Sequence, residues 1–576
     1  MAPLCWLAFF HRLGALGLMD KTEALFVEVA HQMLQRGDWV TPWWNGQVFF
    51  DYPVWGYWMV ALSFRLFGVS EWAARLPVAS AASAVVVATF LLVWQLARPG
   101  EELRQRWLRA ALAAGVLATT PAWIGWGRSA TTDMFLASAI TLALYGFLLA
   151  HHAHQGHWHE RLGQLGMALF AGIAVLAKGP VGLLLPGLVV FVFLTLSAGW
   201  GRWWRPGRLL AMGSLFLGVV LPWYGAAAQT SGVAFVGGFL GFSNLKRFTS
   251  VLYDHPGPPW FYLPWILLLL LPWSVFLPAA ILQLRFWRPV HWRSAPTPLT
   301  GEGIGHCDPP ASPAVPLFLL LWLALVLAFF SAAATKLPGY ILPCIPAAAL
   351  LIALYWRPFE GGAAKGRALR SGALLEAGLL SLMAVAAALA PRWAASDPAN
   401  PGLAAALQSS GLPAVLALVL ALMALALVLL LRRPAADGLL WTPSLIGFLA
   451  LLALVITPLA PLLDKQRQLP LRQLARDARL AARPNEPLWV VGTKRYSMVF
   501  YAGESAAFVA HRRFIASRLG VDPASLLLRP DSRSVRLVGD RRDLEALGIP
   551  AAAITRLSRR NQQELWRVPL VSLPQS

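Results

Sequence analysis

The chain has 576 residues, of which 57% are hydrophobic and 13% charged, with a formal net charge of +21 and a mean hydropathy of +0.58. Soluble domains carry about 45–50% apolar and about 25% charged residues, so these proportions exclude a water-soluble globular protein. The basic residues are scattered through short loops and the C-terminal tail, which excludes the single basic stripe of a nucleic-acid binder and fits membrane topology.

In chain order, the first apolar stretch runs from Pro3 to Met19, contains His11 and Arg12, and shows no small-residue cleavage site. It reads as a retained first helix. Further apolar blocks lie at 76–97, 108–125, 134–150, 163–177, 180–199, 209–228, 260–283, 314–333, 338–355, 372–390, 413–431 and 438–462. A hydrocarbon layer is about 30 Å thick and a helix rises about 1.5 Å per residue, so the pattern predicts a mainly α, polytopic protein of about thirteen transmembrane helices. Pro53 to Gly68 is ambiguous: it is apolar, short, rich in Trp and Tyr, and carries Arg65. If it does not span, the basic loops around Arg98–Arg109, Arg202–Arg208, Arg285–Arg293, Lys365–Arg370 and Arg432–Arg433 all face the cytoplasm, as the positive-inside tendency asks. It is therefore expected to lie in the outer interface, with Trp55, Tyr57 and Trp58 at headgroup level.

That parity makes 1–463 a transmembrane domain with an outer first loop at 20–75, and 464–576 a C-terminal soluble domain on the periplasmic side. In the tail, Leu488–Val491 and Ser534–Val538 read as strands and Asp540–Leu547 as a helix, which suggests a small α/β domain. Cys5, Cys307 and Cys344 show neither disulfide nor zinc spacing. The run His151-His152-Ala153-His154-Gln155-Gly156-His157-Trp158-His159 looks like a metal tract by composition. Parity puts it on the cytoplasmic side, so adventitious or no metal binding is the expectation.

Ionisable residues at membrane depth cluster on the outer face, where they are functional candidates. The first outer loop opens Met19-Asp20-Lys21-Thr22-Glu23. A carboxylate pinned there suits a general base. The same D-x-x-E spacing also suits a helix cap, Asp20 with Glu23.

Several motifs recur in order. They are Glu28 to Pro42 (E-x-A-x-x-M-L-x-x-G-D-W-V-T-P), Asn45-Gly46, Phe50 to Pro53, and Arg75-Leu76-Pro77. After them come Arg128-Ser129-Ala130 with Asp133, Lys178-Gly179-Pro180, and Arg247-Phe248 ahead of His255-Pro256 and Trp260-Phe261-Tyr262. The last is Lys336-Leu337-Pro338-Gly339-Tyr340-Ile341-Leu342-Pro343. This order resembles the bacterial GT-C glycosyltransferases of the aminoarabinose-transferase and protein-mannosyltransferase superfamily. The resemblance implies an enzyme of the bacterial inner membrane with a periplasmic active site. Such an enzyme transfers a sugar from a polyprenyl-phosphate-linked donor, with inversion, to a lipid such as lipid A, a protein or a glycan.

Carried over by motif, Asp20 is the candidate base, and Glu23 shares that work because Lys21 stands where relatives often have an acid. Asp133 is counted with these catalytic candidates. Arg128, Lys178, Arg247 and Lys336 are candidates for the carrier phosphate, with Tyr340 as a hydroxyl donor; each cation also has a plain alternative as a snorkelling side chain. Asp51 and His255 are candidate ligands of a divalent cation, completed by phosphate oxygens. Tyr52 and Val54 depart from the family's Lys and second Pro. Two other classes compete: a secondary transporter, which usually shows internal repeats and midplane charges, and a non-catalytic envelope assembly protein.

Overall fold

The computed structural model describes residues 1–20, 22–96, 101–153, 156–197, 199–203, 205–235, 256–284, 314–356, 363–394, 402–509 and 533–569. Arg247, His255 and Lys21 lie outside them.

Among the described residues, nine helices are long and apolar enough to cross a membrane, or eleven when two bent pairs each count as one span. The bends, 63° and 115°, follow Ala118 and Leu269 and lie beside Pro121 and Pro272, which cannot donate a backbone N–H. Two of the expected blocks are shorter: Val181–Leu196, and the N-terminal Ala2–Cys5 with its continuation Trp6–Phe10. The bundle is graded from inside to outside. Thr132–His152 has 83% of its apolar window buried, whereas Leu412–Leu431 has 28% and is apolar on all sides, the mark of a helix facing lipid.

The Trp55–Phe67 helix has 13 residues, about 20 Å of rise, and is too short to span. Before it, the segment from Thr22 to Val48 is built from local turn chemistry. Helix Thr22–Arg36 stops at Gly37 with φ +67. Asp38 then accepts the N–H groups of Val40 (3.0 Å) and Thr41 (2.9 Å) on Oδ1 and the Trp43 indole N–H (3.1 Å) on Oδ2. This explains the G-D-W-V-T order: an aspartate side chain standing in for a turn. Next, β1 (Trp43–Trp44) and β2 (Gln47–Val48) form a hairpin whose turn residues, Asn45 and Gly46, both have positive φ (53° and 81°). Asn-Gly is the pair that a tight hairpin of this hand prefers.

The tail carries a five-stranded sheet in the order β4-β3-β5-β7-β6. Its strands are β3 (Leu488–Val491), β4 (Ala506–Val509), β5 (Ser534–Asp540), β6 (Thr555–Arg560) and β7 (Gln563–Pro569). β3 pairs in parallel with β4 and β5; β7 is antiparallel to β5 and β6. The strand readings at 488–491 and 534–538 match β3 and β5, and the expected helix is Arg541–Glu545. The chain is not interrupted at 463, however. Helical backbone continues from Thr442 to Leu480 through π segments at Leu452–Ile456 and Asp464–Gln468, so one rod joins bundle and tail.

Candidate functional site

Helix ends assemble the site. Trp158–Lys178 terminates at Gly179, whose φ of +88 turns the chain sharply into the Val181–Leu196 helix. That close return requires Gly182, where a Cβ would run into the Ala174 backbone. The turn leaves Lys178 facing the first turn of Thr132–His152, and its ammonium donates to Asp133. The carboxylate also suits the positive end of its helix. The Lys178 ammonium lies 5.7 Å from the Tyr52 ring centroid and 5.2 Å from that of Tyr340. Tyr52, Asp133, Lys178 and Tyr340 are thus brought together, although nothing in their spacing announces it.

Tyr340 sits on the 3₁₀ segment Pro338–Cys344. Gly339 packs so closely on Trp126 that a Cβ would come within 2.9 Å of its indole. Four residues upstream of Tyr340, the buried Lys336 ammonium donates to the carbonyls of Ser331 and Ala333, both at 2.7 Å. It caps the C-terminal end of Ala314–Ala332, lies 5.9 Å from the Tyr262 ring, and retains a third proton. The Pro256–Thr335 bridge brings Pro256 beside it.

The two carboxylates of the first loop, indistinguishable by sequence, have different surroundings. Glu23 is buried and accepts four bonds: Arg75 Nε (2.7 Å) and Ala130 N–H (2.9 Å) on Oε1, Arg75 Nη2 (2.8 Å) and Met19 N–H (2.9 Å) on Oε2. Burial alone would raise its pKa, but the Arg75 charge and these bonds outweigh burial and hold it below the ordinary 4.5. With its acceptor sites filled and its proton affinity lowered, Glu23 is a clamp and a poor base. Arg75 extends the clamp to the carbonyls of Leu13, Leu16 and Gly17.

Asp20 accepts the Ser497 N–H on Oδ1 at 3.0 Å, while its Oδ2 is buried and accepts no hydrogen bond among the described residues. The expected capping box is therefore absent: Glu23 reaches Met19 N–H, and Asp20 turns to the tail. Arg128 is not snorkelling, and it is spoken for: it donates to the carbonyls of Ala8 (3.2 Å) and His11 (2.8 Å), which fastens the N-terminal segment. Asp51 lies close enough to the buried Tyr57 for its charge to raise that phenol, after burial itself. Among the described residues no group of three or more His, Cys, Asp and Glu is placed to hold a metal. Of the histidine tract, His151 stacks on Phe147 and His152 Nδ1 lies 3.0 Å from the Leu148 carbonyl; His154 lies outside the described residues.

An open apolar groove of about 600 Å³ lies between helices close to the C-terminal end of Trp158–Lys178. Val175 and Pro180 line its near end, and Leu184, Phe191, Val220 and Tyr224 continue it between helices. Leu184 and Phe191 are more than half exposed, so the groove is open along that side.

Sequence analysis missed the docking surface of the tail. The Asn45 side chain pairs with both backbone groups of Ala506 (2.8 Å each), as a neighbouring strand would, and Trp44 stacks on Phe508 at 5.8 Å. The Tyr501 hydroxyl bridges Leu18 N–H (2.8 Å) and Glu71 (3.0 Å), Asp464 accepts Gly17 N–H (2.7 Å), and Arg472 pairs with Glu71 (2.9 Å).

A family model described as dolichyl-phosphate-mannose-protein mannosyltransferase matches residues 51–225. An undecaprenyl phosphate-alpha-4-amino-4-deoxy-L-arabinose arabinosyl transferase of Pseudomonas aeruginosa (strain UCBPP-PA14) is 34% identical over 379 residues, covering 64% of this chain and 61% of the relative. A namesake from Shewanella sediminis is 30% identical over 381 residues, 65% and 62% respectively. The chain thus spans about three-fifths of the length of the curated relatives it matches. The crystal structure of ArnT from Cupriavidus metallidurans bound to undecaprenyl phosphate has 22% identity and a TM-score of 0.75, over 100% of this chain and 98% of that one. The chain has the fold of that ArnT structure, and over about three-fifths of their length it is similar in sequence to the aminoarabinose transferases. The stretch matched by the family model contains Tyr52, Asp133 and Lys178; Asp20, Lys336 and Tyr340 lie outside it.

Proposed function

We propose that this chain is a glycosyltransferase that moves a sugar from a polyprenyl-phosphate carrier to an acceptor on the periplasmic face of the bacterial inner membrane. The observation that carries the proposal is the neighbourhood of Lys178: an ammonium paired with Asp133 and framed by Tyr52 and Tyr340, with Val175 and Pro180, on either side of it in the chain, lining an open apolar groove. Phosphate and a long isoprenoid chain need those two environments side by side. The names of the relatives make 4-amino-4-deoxy-L-arabinose the first sugar to test. Lipid, protein and glycan acceptors remain in competition.

In a single displacement, the acceptor's oxygen or nitrogen attacks the anomeric carbon. The bond from that carbon to the phosphate oxygen breaks, polyprenyl phosphate leaves, and the sugar's configuration inverts. Asp20 Oδ2, which accepts no hydrogen bond among the described residues, takes the acceptor's proton. Lys178 and Lys336 offset the charge that grows on the departing phosphate, and the Tyr340 hydroxyl adds a donor. Asp51 and His255 would hold a divalent cation if phosphate oxygens complete its shell, and its contribution would be to neutralise phosphate charge.

The test is reconstitution in proteoliposomes with polyprenyl-phosphate-linked sugar and envelope lipid extract. Appearance of glycosylated product with stoichiometric polyprenyl phosphate supports the proposal. Movement of the intact donor across the bilayer without cleavage of its sugar–phosphate bond would sink it and favour a transporter.

A further inference from the structure

Asp20 is fixed from outside its own loop. Its Oδ1 takes the Ser497 N–H at 3.0 Å, and its Oδ2 lies 3.6 Å from Arg495 Nη1. The same guanidinium is shared: Nη2 lies 3.8 Å from Asp540 Oδ2. Neither ion pair is at hydrogen-bond length, so Arg495 stands between two carboxylates and is bound firmly to neither.

Topology explains why Arg495 is there. β3 is flanked on both sides by parallel strands. The loop after β3, Gly492 to Tyr496, leaves toward β4, whereas the chain after β5 turns at Asp540 into Arg541–Glu545. Connections diverging at the carboxyl ends of neighbouring parallel strands make the crevice in which open α/β sheets place functional groups. Here the crevice opens onto Asp20. Gly492 sets the bend: its φ is +79, and a Cβ would run into the Asp543 carboxylate.

We propose that Arg495 is a positioning residue for glycosyl transfer, holding Asp20 Oδ2 toward the acceptor nucleophile, so that the tail completes the active site. This rests on the reading of Asp20 as the base. Arg495 touches neither donor nor acceptor in this account; it acts through Asp20. Asp540 is its competitor, and draws the guanidinium away from Asp20.

The experiment uses the full chain in proteoliposomes. Arg495→Gln is expected to lower kcat about tenfold while the donor KM stays within about twofold, and Arg495→Lys to restore at least about a third of the lost turnover. In the Asp20→Asn background, Arg495→Gln should cost nothing further, because both changes act on one group. Arg495 is partly exposed and donates no hydrogen bond among the described residues, so the variants should fold. Asp540→Asn is an independent arm: it frees the guanidinium for Asp20, and kcat should hold or rise. The inference is overturned by a normal kcat in Arg495→Gln, by losses that multiply with those of Asp20→Asn, or by a kcat fall of about fivefold or more in Asp540→Asn. If Asp20→Asn is itself fully active, the reading of Asp20 is what has failed, and the inference falls with it.

Discussion

Lys178 and Asp133 show what a residue pattern does and does not reveal. Both are legible as charges beside apolar blocks, but their pairing depends on two helix ends 45 positions apart in sequence meeting at one face. The family resemblance implied a lysine at Tyr52, and here its ring flanks the Lys178 ammonium instead. Lys178→Ala should lower kcat/KM for the donor by about a hundredfold, the scale of losing one charge-stabilising donor. A loss under about threefold would remove Lys178 from phosphate binding. Chelating divalent cations from the purified protein should lower turnover if Asp51 and His255 hold one, with Asp51→Ala insensitive to the treatment; unchanged turnover after chelation discards the cation.

Glu23 teaches the opposite lesson. Its spacing from Asp20 suggested partnership, and only the burial of Arg75 beside it reveals a clamp. Glu23→Gln strands a buried guanidinium and should cost about 3–5 kcal/mol of stability. The pH sign follows from the depressed carboxyl: the clamp's contribution is complete above its ordinary pKa of 4.5 and is lost as pH falls through the lower folded value. Thermal unfolding in detergent should therefore show the wild type losing stability below about pH 4.5, with a flatter profile in Glu23→Gln. Equal melting temperatures at pH 7 would contradict the clamp.

Among the elements, those with strong local chemistry were legible. The apolar blocks, β3, β5 and the Asp38 turn each carry their cause within a few residues. The Asn45-Gly46 hairpin is a turn signal of the same kind, but its docking on Ala506 is not: an amide that mimics a strand edge leaves no periodicity to read. β4, β6 and β7 were missed because short, partly charged strands gain their stability from neighbours rather than from propensity. Trp44→Ala combined with Asn45→Ala removes the stack and both edge hydrogen bonds. Hydrogen exchange at residues 497–509 should then accelerate by about tenfold or more, while the transmembrane helices keep their protection. Uniform protection across the tail would mean that the hairpin is not what docks it.

For the whole molecule, composition alone was enough to establish a polytopic membrane protein, since no soluble core accommodates so much apolar surface. The count of spans was harder to read, because bent pairs and short helices blur length as a criterion. The union of bundle and tail was not readable at all. It depends on one continuous rod through Leu480 and on contacts more than 400 residues apart in sequence, such as Asp20 with Ser497 and Glu71 with Arg472. Those contacts give the account its centre, because among the described residues they leave Asp20 Oδ2 without a hydrogen bond, whereas both oxygens of Glu23 are satisfied. Asp20→Asn tests this most directly: the amide oxygen can still accept the Ser497 N–H, but the side chain cannot take a proton. In proteoliposomes supplied with polyprenyl-phosphate-linked sugar, the variant should fold and bind donor normally, with turnover reduced by at least about a hundredfold; turnover close to that of the wild type would contradict the account.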